Sequence, residues 1–344
     1  MRPADLGFLM PAEGSPHAGC WMAWPKRAAL WGKYFEAALD DYARVANTIG
    51  RFELVTMVVD PAQEADARTR CGAKVRMVVL PIDDSWLRDS GPTYVVHADG
   101  RRAASCFTFN AWGGKYHPYD QDALVGARIA EYTGDAVFKS GLVVEGGGFF
   151  SDGEGTLITA ENCVLNPNRN PGVSKAAAEA ELRAMLGVRK VIWVPGDVTE
   201  TETDGHVDGY LAYIKPGSLL FEEVRDPADP RYRLMKENRK VLEMETDAKG
   251  RAFELVPIAE APPSATPADA PTYCRSYVNF YLANGAVIVP AYGIAEDVEV
   301  FDTLKRVYAD RQVVPVKVGA LFRGGGGIHC ITQQEPAAGA SRPE

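Results

Sequence analysis

Four stretches of the chain concentrate residue types that carry covalent or ionic chemistry. In RGGGGIHCITQQ (323–334), four glycines run into His329 and Cys330. A cysteine becomes a strong nucleophile once ionised, and glycines let a backbone pass close to a ligand. If the segment around 328–332 is extended, adjacent side chains point to opposite faces. His329 then does not reach the Cys330 sulfur, and any base must come from elsewhere in the chain. Taken alone, the stretch describes a buried core thiol better than a nucleophile.

The other three stretches are rich in carboxylates. In ETETDGHVDGY (200–210), His206 and Asp208 stand two apart and share a face if the segment is a strand. The pair suits a metal or an imidazole–carboxylate couple, but further ligands at zinc spacing are missing nearby. The same spacing also fits a polar turn with a capping aspartate. In DDSWLRDSGPTY (83–94), Trp86 and Asp89 offer an aromatic face and an anion, which together suit a planar cation such as a guanidinium. An exposed loop with an Arg–Asp pair is the plainer reading. In VVEGGGFFSDGEGTL (143–157), Glu145 closes an apolar run ahead of three glycines. A carboxylate buried there needs a cation or a proton beside it, and such a group orients a catalytic imidazole. A hairpin glutamate facing solvent is the alternative.

The elements that must position these residues alternate between two patterns. Short apolar runs bounded by Gly, Pro or Asp predict strands at 53–59, 75–81, 93–98, 141–146, 190–195, 277–291 and 312–318. The 277–291 run holds Ala283–Gly285 between apolar halves and reads as a hairpin. Helical periodicity covers 34–49, 120–132, 174–186, 231–245 and 296–308, with Ser174 as an N-cap. Five helices, each flanked by extended segments, suggest a repeating β/α unit. No linker divides the chain, so a single domain is expected over 1–334, followed by a disordered tail at 335–344.

Composition narrows the partners. The 344 residues carry a net charge of −9, with no long basic block, which disfavours nucleic acid and anionic membranes. Six cysteines lack CxxC spacing, and the N-terminus lacks a signal-peptide core, so a reduced, cytoplasmic protein is expected. A homo-oligomer remains open.

Together the motifs resemble the agmatine deiminases of the guanidine-modifying superfamily. The resemblance runs from MPAE (10–13) and WMAWP (21–25) through WLRDSGP (86–92), FNAWGGKY (109–116), EGGG (145–148) and NPNRNP (166–171). It continues in TDGHVDG (203–209), SYVNFY (276–281) and IHCITQQ (328–334). It implies an α/β fold, a five-bladed pseudo-symmetric propeller of ββαβ modules. It also implies Cys330 as nucleophile, His206 as general acid/base and Glu145 as the partner that orients His206. Asp89 and Asp208 would bind the guanidinium nitrogens and Trp86 would pack along the substrate. No metal or organic cofactor is implied, and the partner is a small guanidino cation. The chain departs from the family pattern at Phe150, Gly209 and Gly327, the last a candidate substrate-binding position. These departures bear on the amine tail rather than on deimination: another guanidino compound, a peptidyl arginine, or a non-catalytic binder of cations stays open. The acidic segment DVTETETD (197–204) is expected to favour a terminal ammonium over a carboxylate, if it lines the entrance.

Overall fold

The computed structural model describes residues 1–338. Their contacts gather into two compact units, each drawn from separated parts of the chain. Met1–Pro16, Asp89–Pro257 and the residues from Pro336 make the first; His17–Arg88 and Ile258–Glu335 make the second. Among the described residues there are five small sheets, one of four strands and four of three.

One pattern recurs in the first unit: a hairpin, a helix, and a third strand. Thr93–Val96 pairs antiparallel with Arg102–Thr108, the helix Asp122–Thr133 follows, and Ala136–Val143 returns parallel to Arg102–Thr108. Phe149–Ser151, Thr156–Ala160, the helix Lys175–Leu186 and Lys190–Val194 repeat it. Leu211–Lys215, Ser218–Glu223, the helix Arg231–Met244 and Glu254–Ala259 build the third sheet. Local chemistry sets the helix ends. Ser174 caps Lys175–Leu186 by accepting from the Ala177 N–H at 3.2 Å, and Gly187 ends it in the left-handed region. Ala178, Leu182, Met185 and Leu186 fall on one face and pack with Phe149, Leu157, Val164 and Trp193. A fully buried leucine such as Leu182 contributes about 2 kcal/mol.

The second unit holds two sheets. His17–Ala23, Val55–Val59 and Val75–Val79 run parallel, with the helix Phe35–Ile49 between the first two and Thr332–Pro336 at the edge. Every residue of Val55–Val59 is buried, which explains its unbroken apolar run. Tyr281–Ala283 and Ala286–Ala291 form the expected hairpin across Asn284 and Gly285 (φ 74°). The helix Glu296–Val307 then carries the chain to Gln312–Lys317, parallel to Ala286–Ala291.

All five expected helices form, with ends within two residues of those read from the sequence. The strand expected from 277 begins only at Tyr281. Before it, the polar groups have other partners: Tyr277 donates its hydroxyl to Asp297 at 2.6 Å, and the Asn279 carbonyl accepts from the His329 N–H at 3.1 Å. Thr332–Pro336 runs two residues into the segment expected as a tail, while 339–344 lie outside the described residues. None of the six cysteines is in a disulfide. No helix among the described residues is long and apolar enough to cross a membrane.

Candidate active site

Four of the sequence-predicted residues meet in the first unit. Asp89 sits in the single-turn helix Leu87–Ser90 and is held by two donors. The Gly147 N–H reaches its Oδ1 at 3.0 Å, and the Trp112 indole N–H reaches its Oδ2 at 3.0 Å. Ala111 and Trp112 both take positive φ, 53° and 54°, a strained backbone for residues with a side chain. That turn aims the Trp112 indole at Asp89.

Glu145 follows Ala136–Val143 and precedes the short 3₁₀ turn Gly146–Gly148, fully buried. Its Oε1 accepts from Arg169 Nε at 2.7 Å, and its Oε2 lies 3.2 Å from His206 Nε2. The Cys163 thiol approaches the same oxygen at 3.8 Å. Arg169, from NPNRNP, also bonds Asn168, Asp204 and the Thr203 carbonyl, and its side chain is fully buried. Removing one partner from such a buried pair typically costs about 3–5 kcal/mol, because the other charge is left uncompensated.

His206 and Asp208 are not on a strand. His206 precedes the 3₁₀ turn Val207–Gly209, which contains Asp208. The turn before them is built by Glu200, whose carboxylate accepts from the Thr203 N–H (3.0 Å to one oxygen) and the Gly205 N–H at 3.0 Å. With Nε2 committed to Glu145, His206 Nδ1 faces Asp89 Oδ1 at 3.8 Å and has no hydrogen-bond partner although buried. Gly147 keeps the space in front of it open. A methyl group built on Gly147 would lie 2.6 Å from His206 Nδ1, 2.9 Å from Asp208 Oδ2 and 3.0 Å from Asp89 Oδ1. An imidazole nitrogen and two carboxylates therefore converge on one small volume.

The charges are strongly coupled. Burial opposes a charge on His206, but Asp89, Cys163 and Glu145 outweigh it and raise the imidazole well above its ordinary range. Burial also pushes Glu145 up, yet His206 and Arg169 bring it below the usual carboxylate range. Asp89 is pushed up to about 6, first by burial, with His206 pulling down and Asp208 and Glu145 pushing up. The ionised cluster has three carboxylates against His206 and Arg169. That excess suits a cationic ligand.

Glu145, Cys163 and His206 also bring possible metal-ligand atoms within 4.8 Å of one another. The Arg169 guanidinium against Glu145 already supplies the positive charge that a divalent ion would bring, and it repels one. Asp208, paired with His206 in the metal reading of the sequence, is not in that group.

Cys330, Trp86 and Gly327 belong to the second unit. Residues 328–331 form a turn rather than the extended segment considered from sequence, closed by the Thr332 N–H on the His329 carbonyl at 3.1 Å. Arg88 braces it, with its N–H on the Cys330 carbonyl at 3.1 Å and its Nε on the His329 carbonyl at 3.3 Å. Asn279 Nδ2 lies 3.2 Å from Cys330 Sγ. Trp86 is buried and stacked on Trp31, with centroids 6.0 Å apart and planes at 24°. The glycines fit this packing. A side chain at Gly324 would press on the Trp31 ring at 3.0 Å, one at Gly326 would meet Trp86 at 2.5 Å, and one at Gly327 would meet Asn279 at 2.5 Å. Three of the four glycines thus make room for protein side chains.

Four of the other thiols are disfavoured as nucleophiles by their surroundings. Burial pushes Cys71 up to about 12 and Cys106 up to about 11, and it raises Cys20 and Cys163 as well. Sequence reading assigned no role to Trp112, Arg169, Cys163 or Asn279. The available signal was the buried Glu145, which demanded a cation; Arg169 is that cation.

The acidic segment 197–204 is largely engaged. Asp197 pairs with Arg231 at 2.7 Å, and Asp204 with Arg169 and Lys115. Glu200 caps the turn, and Glu202 accepts from the Tyr116 hydroxyl at 2.6 Å.

The chain is similar to known proteins over nearly its whole length. An agmatine deiminase of Ectopseudomonas mendocina is 39% identical over 357 residues, covering 97% of both chains. One from Pseudomonas fluorescens (strain Pf-5) is 40% identical over 361 residues, with the same coverage. The solved structure of the agmatine deiminase of Enterococcus faecalis matches with a TM-score of 0.94, at 33% identity over 98% of each chain. The fold class is thus the expected five-module α/β propeller. The family model for the Porphyromonas-type peptidyl-arginine deiminases matches residues 9–336. The chain belongs to that family.

Proposed function

We propose that the chain is an agmatine deiminase, hydrolysing agmatine to N-carbamoylputrescine and ammonia. The observation that carries this reading is the convergence of Asp89, Asp208 and His206 Nδ1 on the volume left open by Gly147. Two carboxylates and an imidazole suit a planar guanidinium. They hold its nitrogens, fix its carbon, and place a proton donor beside one nitrogen.

The Cys330 thiolate attacks the guanidinium carbon and forms a C–S bond. His206 gives its proton to the departing nitrogen, the C–N bond breaks, and ammonia leaves an S-alkylthiouronium on Cys330. Neutral His206 then takes a proton from water, whose oxygen bonds the same carbon. The C–S bond breaks as the new hydroxyl becomes the ureido C=O, its proton passing to solvent, where the released ammonia takes it up as ammonium; the ureido product departs and the thiolate is restored. Glu145 keeps Nε2 occupied and stabilises the imidazolium, so Nδ1 does the proton transfer. Trp86 packs along the substrate. Six cysteines outside any disulfide suit a reducing cytoplasm.

For the amine tail, the relatives' activity favours agmatine. Within the acidic segment, Asp197 and Asp204 are matched by cations and Glu200 is taken up by the turn, which supports Glu202, held by a neutral hydroxyl, as the residue that favours an ammonium. Ammonia and ureido product are measured with agmatine, free arginine and a blocked arginine peptide, for the parent enzyme, Cys330→Ala and Glu202→Gln. Agmatine is expected to lead free arginine by roughly a hundredfold in kcat/KM, a margin that Glu202→Gln reduces. Equal kcat/KM for agmatine and arginine refutes the assignment of substrate. Turnover by Cys330→Ala refutes the mechanism.

A further inference from the structure

Asn279 lies just before the hairpin strand Tyr281–Ala283, within SYVNFY, and is 2% exposed. Its carboxamide is oriented by the main chain of the cysteine turn. Oδ1 accepts from the His329 N–H at 3.0 Å and from the Cys330 N–H at 3.4 Å. With the oxygen committed to N–H donors, the NH₂ group is turned to the remaining side, and Nδ2 stands 3.2 Å from Cys330 Sγ. Sγ is also 3.4 Å from Oδ1. The two contacts serve different protonation states: a thiol donates to the oxygen, whereas a thiolate accepts from the nitrogen. Gly327 seats the group, since any side chain there would lie 2.5 Å from Oδ1. In a buried setting a hydrogen bond to an anion is roughly twice as strong as one between neutral groups.

We infer that Asn279 is a catalytic residue that donates a hydrogen bond from Nδ2 to the Cys330 thiolate and so favours the ionised nucleophile. The inference rests on Cys330 being the nucleophile of the proposed reaction. When the thiol loses its proton, the Nδ2–H takes the vacated place at sulfur. The donor then remains while the electron pair moves to the substrate carbon, and it is again in place when the C–S bond breaks and the thiolate leaves.

The test is the pH dependence of Cys330 alkylation by iodoacetamide without substrate, read by mass spectrometry on the Cys330 peptide. Asn279→Ala removes the donor and the acceptor together. Asn279→Asp keeps an acceptor for the two main-chain N–H groups but puts an anion at the sulfur. The pH of half-reaction is expected to rise by about one to two pH units for Asn279→Ala and further for Asn279→Asp. Turnover at neutral pH is expected to fall in the same order, by roughly 10- to 100-fold for the first, with KM for agmatine little changed. A group that only shapes the turn gives the opposite ranking, with Asn279→Asp nearer the parent enzyme. That ranking, or an unmoved midpoint in both variants, overturns the inference. Cys330→Ala separates the two claims. Turnover retained in that variant overturns the nucleophile, whereas turnover lost with unmoved midpoints overturns only the role of Asn279.

Discussion

His206 is held between two carboxylates that do different work. Glu145 is kept ionised by His206 and Arg169 and keeps the imidazole charged; Asp89 is pushed up to about 6 and faces the volume left open by Gly147. As pH falls through about 6, the free enzyme protonates Asp89 and loses an anion that would hold the guanidinium. As pH rises through the elevated range of His206, the proton donor for ammonia is lost. The profile of kcat/KM for agmatine is therefore expected to fall on its acid side near pH 6. The acid limb of kcat should lie lower, since bound guanidinium favours the carboxylate. Steady-state rates across pH check this, and an acid limb of kcat at or above that of kcat/KM speaks against Asp89 as a ligand. At this scale Cys330, His206, Glu145, Asp89 and Asp208 were singled out in the sequence by the motifs taken together, since the Cys330 stretch alone read as a core thiol. Arg169, Trp112 and Asn279 were not, because each acts through a contact that only folding creates. Trp112 reaches Asp89 through two residues at positive φ, which no local pattern foretells.

Among the elements, the glycine runs carry the most consequence. Gly326→Ala would place a methyl group 2.5 Å from the Trp86 ring. The loop bearing Cys330 must then shift, and displacements of about 1 Å in a site cost roughly a hundredfold in rate, beside about 1–3 kcal/mol of stability. Gly209 is the contrast: a Cβ there meets nothing within 4 Å beyond its chain neighbours, so Gly209→Asn should fold and melt like the parent. Thermal melts and kcat for both variants decide it; normal activity in Gly326→Ala would remove the tryptophan packing from the account. From sequence, these glycines let the backbone pass close to a ligand. Their neighbours turned out to be Trp31, Trp86 and Asn279, contacts between segments far apart in sequence. Helices were legible from their 3.6-residue periodicity. The strands Arg102–Thr108 and Phe149–Ser151 were not: the first is built of small and polar residues, and the second is only three residues long.

Across the molecule, a hairpin–helix–strand module recurs, and each of the two units gathers separated stretches of chain. Spacing along the sequence suggested the repeat from five helices, but it could not say which loops meet, since Asp89, Glu145 and His206 are more than fifty residues apart. Folding brings these residues into one cluster with an excess of negative charge, which suits a cation. The central claim is that Cys330 carries the substrate carbon during turnover. Enzyme quenched with acid while turning over agmatine, digested and analysed by mass spectrometry, tests it most directly. The account predicts an adduct of agmatine less ammonia on the Cys330 peptide, formed and consumed at rates consistent with kcat and absent from Cys330→Ala. Full turnover with no adduct on that peptide, or the adduct on another cysteine, would contradict it.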